Sequence, residues 1–487
     1  MKKIGLTCLA IALAVYSFAQ NEVDALRYSQ LEFSGTARYN SMGGAFGALG
    51  GDFTTLSTNP AGIGVYRRSE LSLTTGFNSN AYSSTYLGTQ SDASRGNVNI
   101  GNIGWISNYN SEKTTGWVSG SFGIGYNRLA DFNSNVRIVG TNEESSLLDV
   151  YRNRVQGVNW GDVDTGGFYD FGASLAWQTV LIDTFLGETN YITQIPFYGQ
   201  QQIIDQETSG RVGESVIALG GNYENRLYLG GTFGISSVRY NRESTFEEVL
   251  PAGDTSTFLN DFTFRENLNT RGNGYTLKIG AIYRLTDYLR LGAAVHSPTW
   301  MVLEDRYSTS FEANYPGFGR EVADSPDGLF EYRLRTPYRL SASAAGLFKK
   351  HGLISADIEY VDYASARLSE RFAGDYDFNA ENEVIRNSYQ GAMNVRVGGE
   401  LRLMPIAIRA GYAYQGSPYN SDVIDNDGSV QNYSFGIGYR NANLFLDFGY
   451  VLRVQKEDYY PYDPSIAAPA QQDRTLQRYQ ITVGLKY

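Results

Sequence analysis

Cysteine and histidine are nearly absent: the 487 residues hold one cysteine, Cys8, and two histidines, His296 and His351. The first nineteen residues, MKKIGLTCLAIALAVYSFA, join Lys2 and Lys3 to an apolar run ending at Ala19, the build of a secretory signal peptide. Once residues 1–19 are removed no cysteine is left, which excludes a disulfide framework and a thiol nucleophile. Long hydrophobic runs are missing too. No apolar stretch of about 18 residues follows the leader, so a helical membrane span is not expected, while membrane residence through strands stays open. Basic residues are in deficit, with Lys+Arg 40 against Asp+Glu 51 for a net charge of −11. That balance argues against nucleic acid as a partner.

What is abundant is glycine (54), tyrosine (37) and phenylalanine (25), a profile of strands and tight turns. Segments in which apolar and polar or small residues alternate fall at 69–80, 96–108, 115–128, 212–222, 226–241, 271–285, 288–297, 337–348, 352–362, 391–403, 406–417, 430–440, 443–455 and 476–487. Their connections take turns between short (NSEKTT, NYEN, Thr286-Asp287, KKHG, Met404-Pro405, NAN) and long (81–95, 129–211, 242–270, 298–336, 363–390, 418–429, 456–475). Fourteen antiparallel strands joined in this way predict an all-β transmembrane barrel of the bacterial outer membrane, with periplasmic turns, outer loops and both termini periplasmic. Twelve residues or so at about 3.4 Å rise, tilted by about 40°, cover the apolar band of that membrane. Within 129–211, the longest loop, EESSLLDVYRNRVQ carries helical spacing and predicts a short surface helix.

Alternation also assigns faces. Over 443–455, Leu444, Leu446, Phe448, Tyr450 and Leu452 share the outward face and Asp447, Gly449 and Arg453 the inward one. Over 352–362, Ile354, Ala356, Ile358 and Tyr360 point out and Ser355, Asp357 and Glu359 in. Lys278, Arg284, Arg290, Arg339, Arg396, Glu400, Arg402, Arg409 and Lys486 join the inward set, giving a lumen with charges of both signs that can pair across it. The closing strand, QRYQITVGLKY, ends on Tyr487 and resembles the recognition signal read by the barrel-insertion machinery.

Residues 20–68 precede the first strand and fit none of this alternation. Fourteen strands enclose a lumen too wide for wall side chains to fill, and a compact glycine-rich segment suits that space. Gly43, Gly44, Gly47, Gly50 and Gly51 allow close backbone approach, Asp52 is placed to cap a turn at DFTTLS, and Asn59-Pro60 forces a break before Ala61-Gly62. The run from Ser41 to Gly62, with its Met-Gly-Gly-Ala start, Gly-Asp pair and Asn-Pro-Ala-Gly close, resembles the N-terminal hatch of the outer-membrane long-chain fatty acid and aromatic hydrocarbon transporters typified by FadL and TodX. SPTWM (297–301) and TPYRLSASAAG (336–346) resemble that family more weakly. The resemblance implies passive uptake of hydrophobic compounds: capture among the outer loops, a rearrangement of the hatch, and exit through the wall beside a kinked third strand. Asn59, Pro60, Ala61 and Gly62 are then the expected pivot, with Gly43, Gly44 and Asp52 in the gate. Gly120, Gly123 and Gly125 in TGWVSGSFGIGYNR are the expected kink.

Enzymatic readings find no support. His296 and His351 are expected at opposite rims, each solvated, so neither a metal site, a haem ligand pair nor a Ser-His-Asp site is expected. The GALGG and GFGIG runs lack the Lys-Ser/Thr of a phosphate loop, and SDVIDNDGS lacks the ligand spacing of a calcium loop. The expected protein is a monomer without catalytic residues, metal or cofactor, in contact with outer-membrane lipid and a hydrophobic small-molecule ligand. The competing readings are a subunit or shuttle of a secretion or surface-assembly machine, a general porin and a haem-uptake protein.

Overall fold

The computed structural model describes residues 22–32, 34–165, 167–251, 258–374, 376–424 and 426–487. The expected signal peptide, residues 1–19, lies outside them. Fourteen strands make the wall: β1 (Glu70–Tyr86), β2 (Thr89–Asn110), β3 (Trp117–Asp131), β4 (Gln200–Tyr223), β5 (Leu227–Val249), β6 (Asp261–Arg284), β7 (Leu289–His296), β8 (Arg339–Leu347), β9 (Gly352–Asp362), β10 (Gly391–Leu403), β11 (Ile406–Gln415), β12 (Val430–Arg440), β13 (Leu444–Tyr459) and β14 (Ala470–Lys486). Each pairs antiparallel with the next, and β14 closes on β1 from Glu70↔Lys486 to Thr85↔Gln471. Closure removes the unpaired edges that an open sheet would expose.

The expected faces hold. Along β9, Ile354 and Ile358 are exposed on the outside while Ser355, Asp357 and Glu359 are buried inside. Along β13, Leu444, Leu446 and Phe448 face out and Phe445, Asp447 and Val451 in. The outward apolar side chains form the band that meets lipid.

The connections depart from expectation. Residues 81–95 are not a loop: β1 and β2 run on to a two-residue hairpin at Leu87-Gly88, whose φ angles of 48° and 81° give the twist that flanking strands favour. Strands β4, β5 and β6 have 24, 23 and 24 residues, far more than a bilayer needs. The strand lengths expected from membrane thickness fail because a ladder, once formed, continues into water whenever its partner does. Segment 298–336 is likewise mostly sheet. Residues Trp300–Tyr315 and Gly328–Arg335 carry the lines of β7 and β8 upward beyond paired breaks at Ser297-Pro298-Thr299 and Thr336-Pro337-Tyr338, where proline cannot donate to the ladder.

Two helices bind the long loops into a cap. Loop helix α3 (Leu147–Val155) begins at a capping box made by Ser146 and Asp149. It is not a surface helix: Leu147, Leu148, Tyr151 and Val155 are buried, with the Tyr151 ring 5.8 and 5.4 Å from those of Phe264 and Phe311 on the strand extensions. Helix α4 (Asn379–Ser388) covers a second apolar cluster through Ile385.

Candidate functional site

Residues 22–66 thread the lumen. They form α1 (Glu22–Ser29), α2 (Ala37–Ser41) and two 3-10 turns, Phe53–Ser57 and Pro60–Val65, and almost every residue from Ser34 to Gly64 is buried. Local chemistry sets each piece. Thr36 caps α2 by accepting from the Tyr39 N–H and donates through Oγ1 to Asp52 Oδ2 at 2.7 Å. Asp52 Oδ1 accepts from the Thr54 N–H at 3.0 Å and so caps the first 3-10 turn, as its position before FTTLS predicts. Asn59 Oδ1 caps the second by accepting from the Ala61 N–H at 3.1 Å, with Pro60 at the first helical position. The Asn59 amide also donates to Gly47 O at 2.6 Å and to Ala281 O of the wall at 3.3 Å. Gly43 and Gly44 have φ of 62° and 74°, a conformation that side chains disfavour. Gly62 packs where a Cβ would lie 2.3 Å from Thr55 Oγ1.

No strand of the hatch joins the wall among the described residues; side chains fasten it, together with a main-chain bond from the Glu32 N–H to Leu129 O of β3 at 2.8 Å. On one side Arg38 Nε lies 3.0 Å from Glu400 Oε2, and Arg409 bridges the same carboxylate (2.8 Å) to Asp447 (2.6 Å). Asp357 Oδ2 accepts from the N–H groups of Phe46 and Gly47 at 3.0 and 2.9 Å. On the opposite side Lys278 Nζ pairs with Glu214 at 2.6 Å and donates to Ser57 O at 3.1 Å, while Ser57 Oγ donates to Glu214 Oε2 at 2.6 Å. Higher up, Glu32 accepts from Arg453 at 3.1 Å and from Arg478. Burial alone would raise the Glu32 pKa, but Arg478 and Arg453 outweigh it and hold the carboxyl below its ordinary value.

The expected lumen charges therefore divide by partner. Lys278, Asp357, Glu400, Arg409 and Asp447 hold the hatch directly or through one neighbour. Arg339 and Arg396 pair with Glu359 within the wall at 3.2 and 3.0 Å, and Arg339 also donates to Ser29 O at the end of α1. Arg284 keeps the inward parity of Lys278 and Ile282 and pairs with Asp287 in its own short turn at 2.8 Å, at the rim. His296 is a correction. It is buried, not solvated, with Nε2 2.6 Å from Thr58 O of the hatch, because the eight-residue β7 ends inside the ring, level with Arg339 of β8. The sequence-based reading missed Glu32, Arg38, Ser57 and Glu214; the signal available was charge in an otherwise glycine-rich segment facing inward arginines.

The third strand is kinked, though not at the expected glycines. A Cβ on Gly123 would lie 2.8 Å from Leu56 Cδ2, and one on Gly125 would lie 2.5 Å from Phe53 Cζ, so both make room for the hatch. Gly120 meets only backbone, at 3.9 Å. The ladder between β2 and β3 starts at Asn110↔Ser119 and stops at Asn102↔Asn127, beside an unpaired Gly101 in the β1–β2 register. Beyond it β3 carries a second irregularity between Arg128 and Ala130 and turns toward β4, with which its continuation, Ser134–Asn142, pairs. The result is a seam in the wall, crossed by side chains: Asn97 Nδ2 donates to Asp131 Oδ2 at 3.2 Å. On its outer lip Val98 and Ile100 are 77% and 53% exposed. On its inner side lies a cavity of about 630 Å³ above the hatch, lined by Leu26, Tyr82, Ala130, Phe132, Val136 and Tyr240 together with Arg27, Arg453, Arg474 and Glu32.

A plugged fourteen-stranded ring with a seam beside its third strand can be set against known proteins. Residues 225–481 match the family model described as outer membrane protein transport protein (OMPP1/FadL/TodX). The chain belongs to this family. A Pseudomonas aeruginosa FadL homologue superimposes with a TM-score of 0.56 at 13% identity, over 93% of this chain and 99% of that one. The Pseudomonas putida toluene transporter TodX gives 0.53 at 14% identity, over 94% and 99%. At such identities the likeness is one of fold, hatch included. No curated relative matches by sequence. Membership of the OMPP1/FadL/TodX family makes this an outer-membrane transport protein, and the family's members are transporters rather than enzymes.

Proposed function

We propose that the protein carries hydrophobic small molecules, long-chain fatty acids or aromatic hydrocarbons, passively across the outer membrane, with the long loops outside and Tyr487 in the periplasm. The observation that carries this reading is the coincidence of the seam with the cavity: Ala130, Asp131, Phe132, Ser134 and Val136 line the cavity on the stretch where β3 has left β2. A molecule held above α1 thus has a short path to the apolar lip at Val98 and Ile100, whereas the axial path is filled by the hatch. Arg453 pairs with Glu32 and Arg27 with Asp24 beside this cavity, so an amphiphile's polar end has charged neighbours while its chain rests on Tyr82, Phe132 and Tyr240. The gate assigned here is Asn59, Pro60, Ala61 and Gly62 with Gly43, Gly44 and Asp52.

The test is accumulation of radiolabelled oleate and of toluene by cells lacking the protein and by cells complemented with it. Complementation restores uptake of at least one. Equal uptake of both with and without the protein overturns the reading.

A further inference from the structure

On a chain with net charge −11, three outward-facing arginines stand together without an acidic partner at ion-pair distance among the described residues. Arg333 and Arg335 share the outer face of Gly328–Arg335, and Arg335 lies directly opposite Arg367 of the strand Arg367–Glu370. Like charges facing each other across a ladder destabilise it. Arg386, exposed on α4, adds a fourth positive charge. Partial burial first, then Arg386 and Arg335, press the Arg367 pKa downward, against an opposing pull from Asp362. The neighbouring outward arginines show what a balanced surface looks like here, Arg306 pairing with Glu304 at 2.8 Å and Arg371 with Glu331 at 2.5 Å.

The cluster's height is equally specific. Arg335 is paired in register with Trp300, which is 52% exposed, and Trp300 with the exposed Tyr275 of β6. Tyr338 and Tyr360 continue this row beside it, and below it come the exposed Val295, Leu340 and Ile358. Aromatic rings of this kind mark the membrane interface. The arginines therefore sit immediately beyond the long-loop edge of the apolar band, at headgroup level.

We infer that Arg333, Arg335 and Arg367, with Arg386, form a binding site for the phosphate of a phosphorylated glycolipid of the outer leaflet, its acyl chains lying on the apolar column of Val295, Leu340 and Ile358. Guanidinium forks match phosphate oxygens in geometry, and a dianion would relieve the repulsion between Arg335 and Arg367. The assignment rests on the long loops facing outward but not on what is transported. It makes the patch a fixed lipid contact on a chain of net charge −11.

The experiment uses the full chain purified in nonionic detergent and titrated with bisphosphorylated lipid A, with the same lipid A stripped of phosphate, and with inorganic phosphate. Wild type binds the bisphosphorylated form at least about tenfold more tightly than the stripped one, and the triple variant R333Q/R335Q/R367Q loses that preference. R137Q, which removes an outer arginine already paired with Asp205, keeps it. Heat-modifiable migration in gel electrophoresis checks that each variant is folded, and R333K/R335K/R367K restores part of the binding if a variant is unstable. Equal affinity for the stripped lipid, undiminished binding by the folded triple variant, or competition by inorganic phosphate at the same concentration as lipid A each overturns the proposal. Oleate and toluene uptake is unchanged in the triple variant, which separates this result from the transport reading.

Discussion

Asn59 joins three parts of the structure through one side chain: it caps its own turn, ties back to Gly47 and reaches the wall at Ala281. Loss of the cap and of the two donated bonds in N59A costs about 2 kcal/mol locally, so amides of 47–62 exchange on the order of 30-fold faster by mass spectrometry while the barrel still assembles. Gly280 tests the same contact from the wall, since a Cβ there would fall 1.9 Å from Asn59 Oδ1. G280A therefore displaces Asn59 and raises exchange over the same stretch, whereas a Gly-to-Ala change at Gly231, with only Lys278 O at 3.7 Å, leaves it unaltered. Glu32 has its pKa lowered by Arg478 and Arg453, so its contribution is present above the ordinary value of 4.5 and fades as pH falls through its lower folded pKa. Acidification below about pH 4 thus loosens the upper hatch in wild type, seen as faster exchange near residue 32, and E32Q shows that looseness already at neutral pH. The Asp52 cap was legible in the sequence because a cap is a contact across two residues, whereas at Asn59 the sequence marks only the start of a break at Pro60. Arg38 with Glu400, 362 positions apart, and His296 with Thr58, 238 apart, were not legible, because only closure of the ring brings them together.

Strand number and facing were readable from alternation, which in a barrel is imposed by lipid on one side and a polar lumen on the other. Strand ends were not, since β4, β5 and β6 continue as sheet well beyond the apolar band on the long-loop side. The third strand is the instructive element. Its glycines suggested a kink, yet Gly123 and Gly125 are small to admit Leu56 and Phe53, and the break in pairing follows from the irregularities at Gly101 and Leu129, which carry no compositional mark. A staple across the seam tests its role: N97C/D131C joins side chains that already touch, at 3.2 Å. Oxidised cells lose most of the protein-dependent uptake and regain it on reduction. Full uptake with the disulfide formed would show that molecules leave elsewhere.

At the scale of the molecule, a lumen filled by 22–66 conducts ions poorly, and planar-bilayer recordings of the wild type show no stable large channel, whereas a variant lacking residues 37–65 opens one. The family-level outline, a ring with an internal stopper, was visible in the sequence because Ser41 to Gly62 breaks the alternation so sharply. The cap over the long-loop end was not, because helix α3 buries Leu148 and Tyr151 against strands that lie a hundred residues and more downstream.

The fastening of the hatch by Arg38, Ser57, Phe46, Gly47 and Asn59 rather than by a shared ladder has a mechanical consequence. In the gating proposed above, the stopper shifts and reseats by exchanging a few polar contacts while every rung of the cylinder stays in place, so that proposal requires no part of the membrane-embedded wall to come apart and re-form.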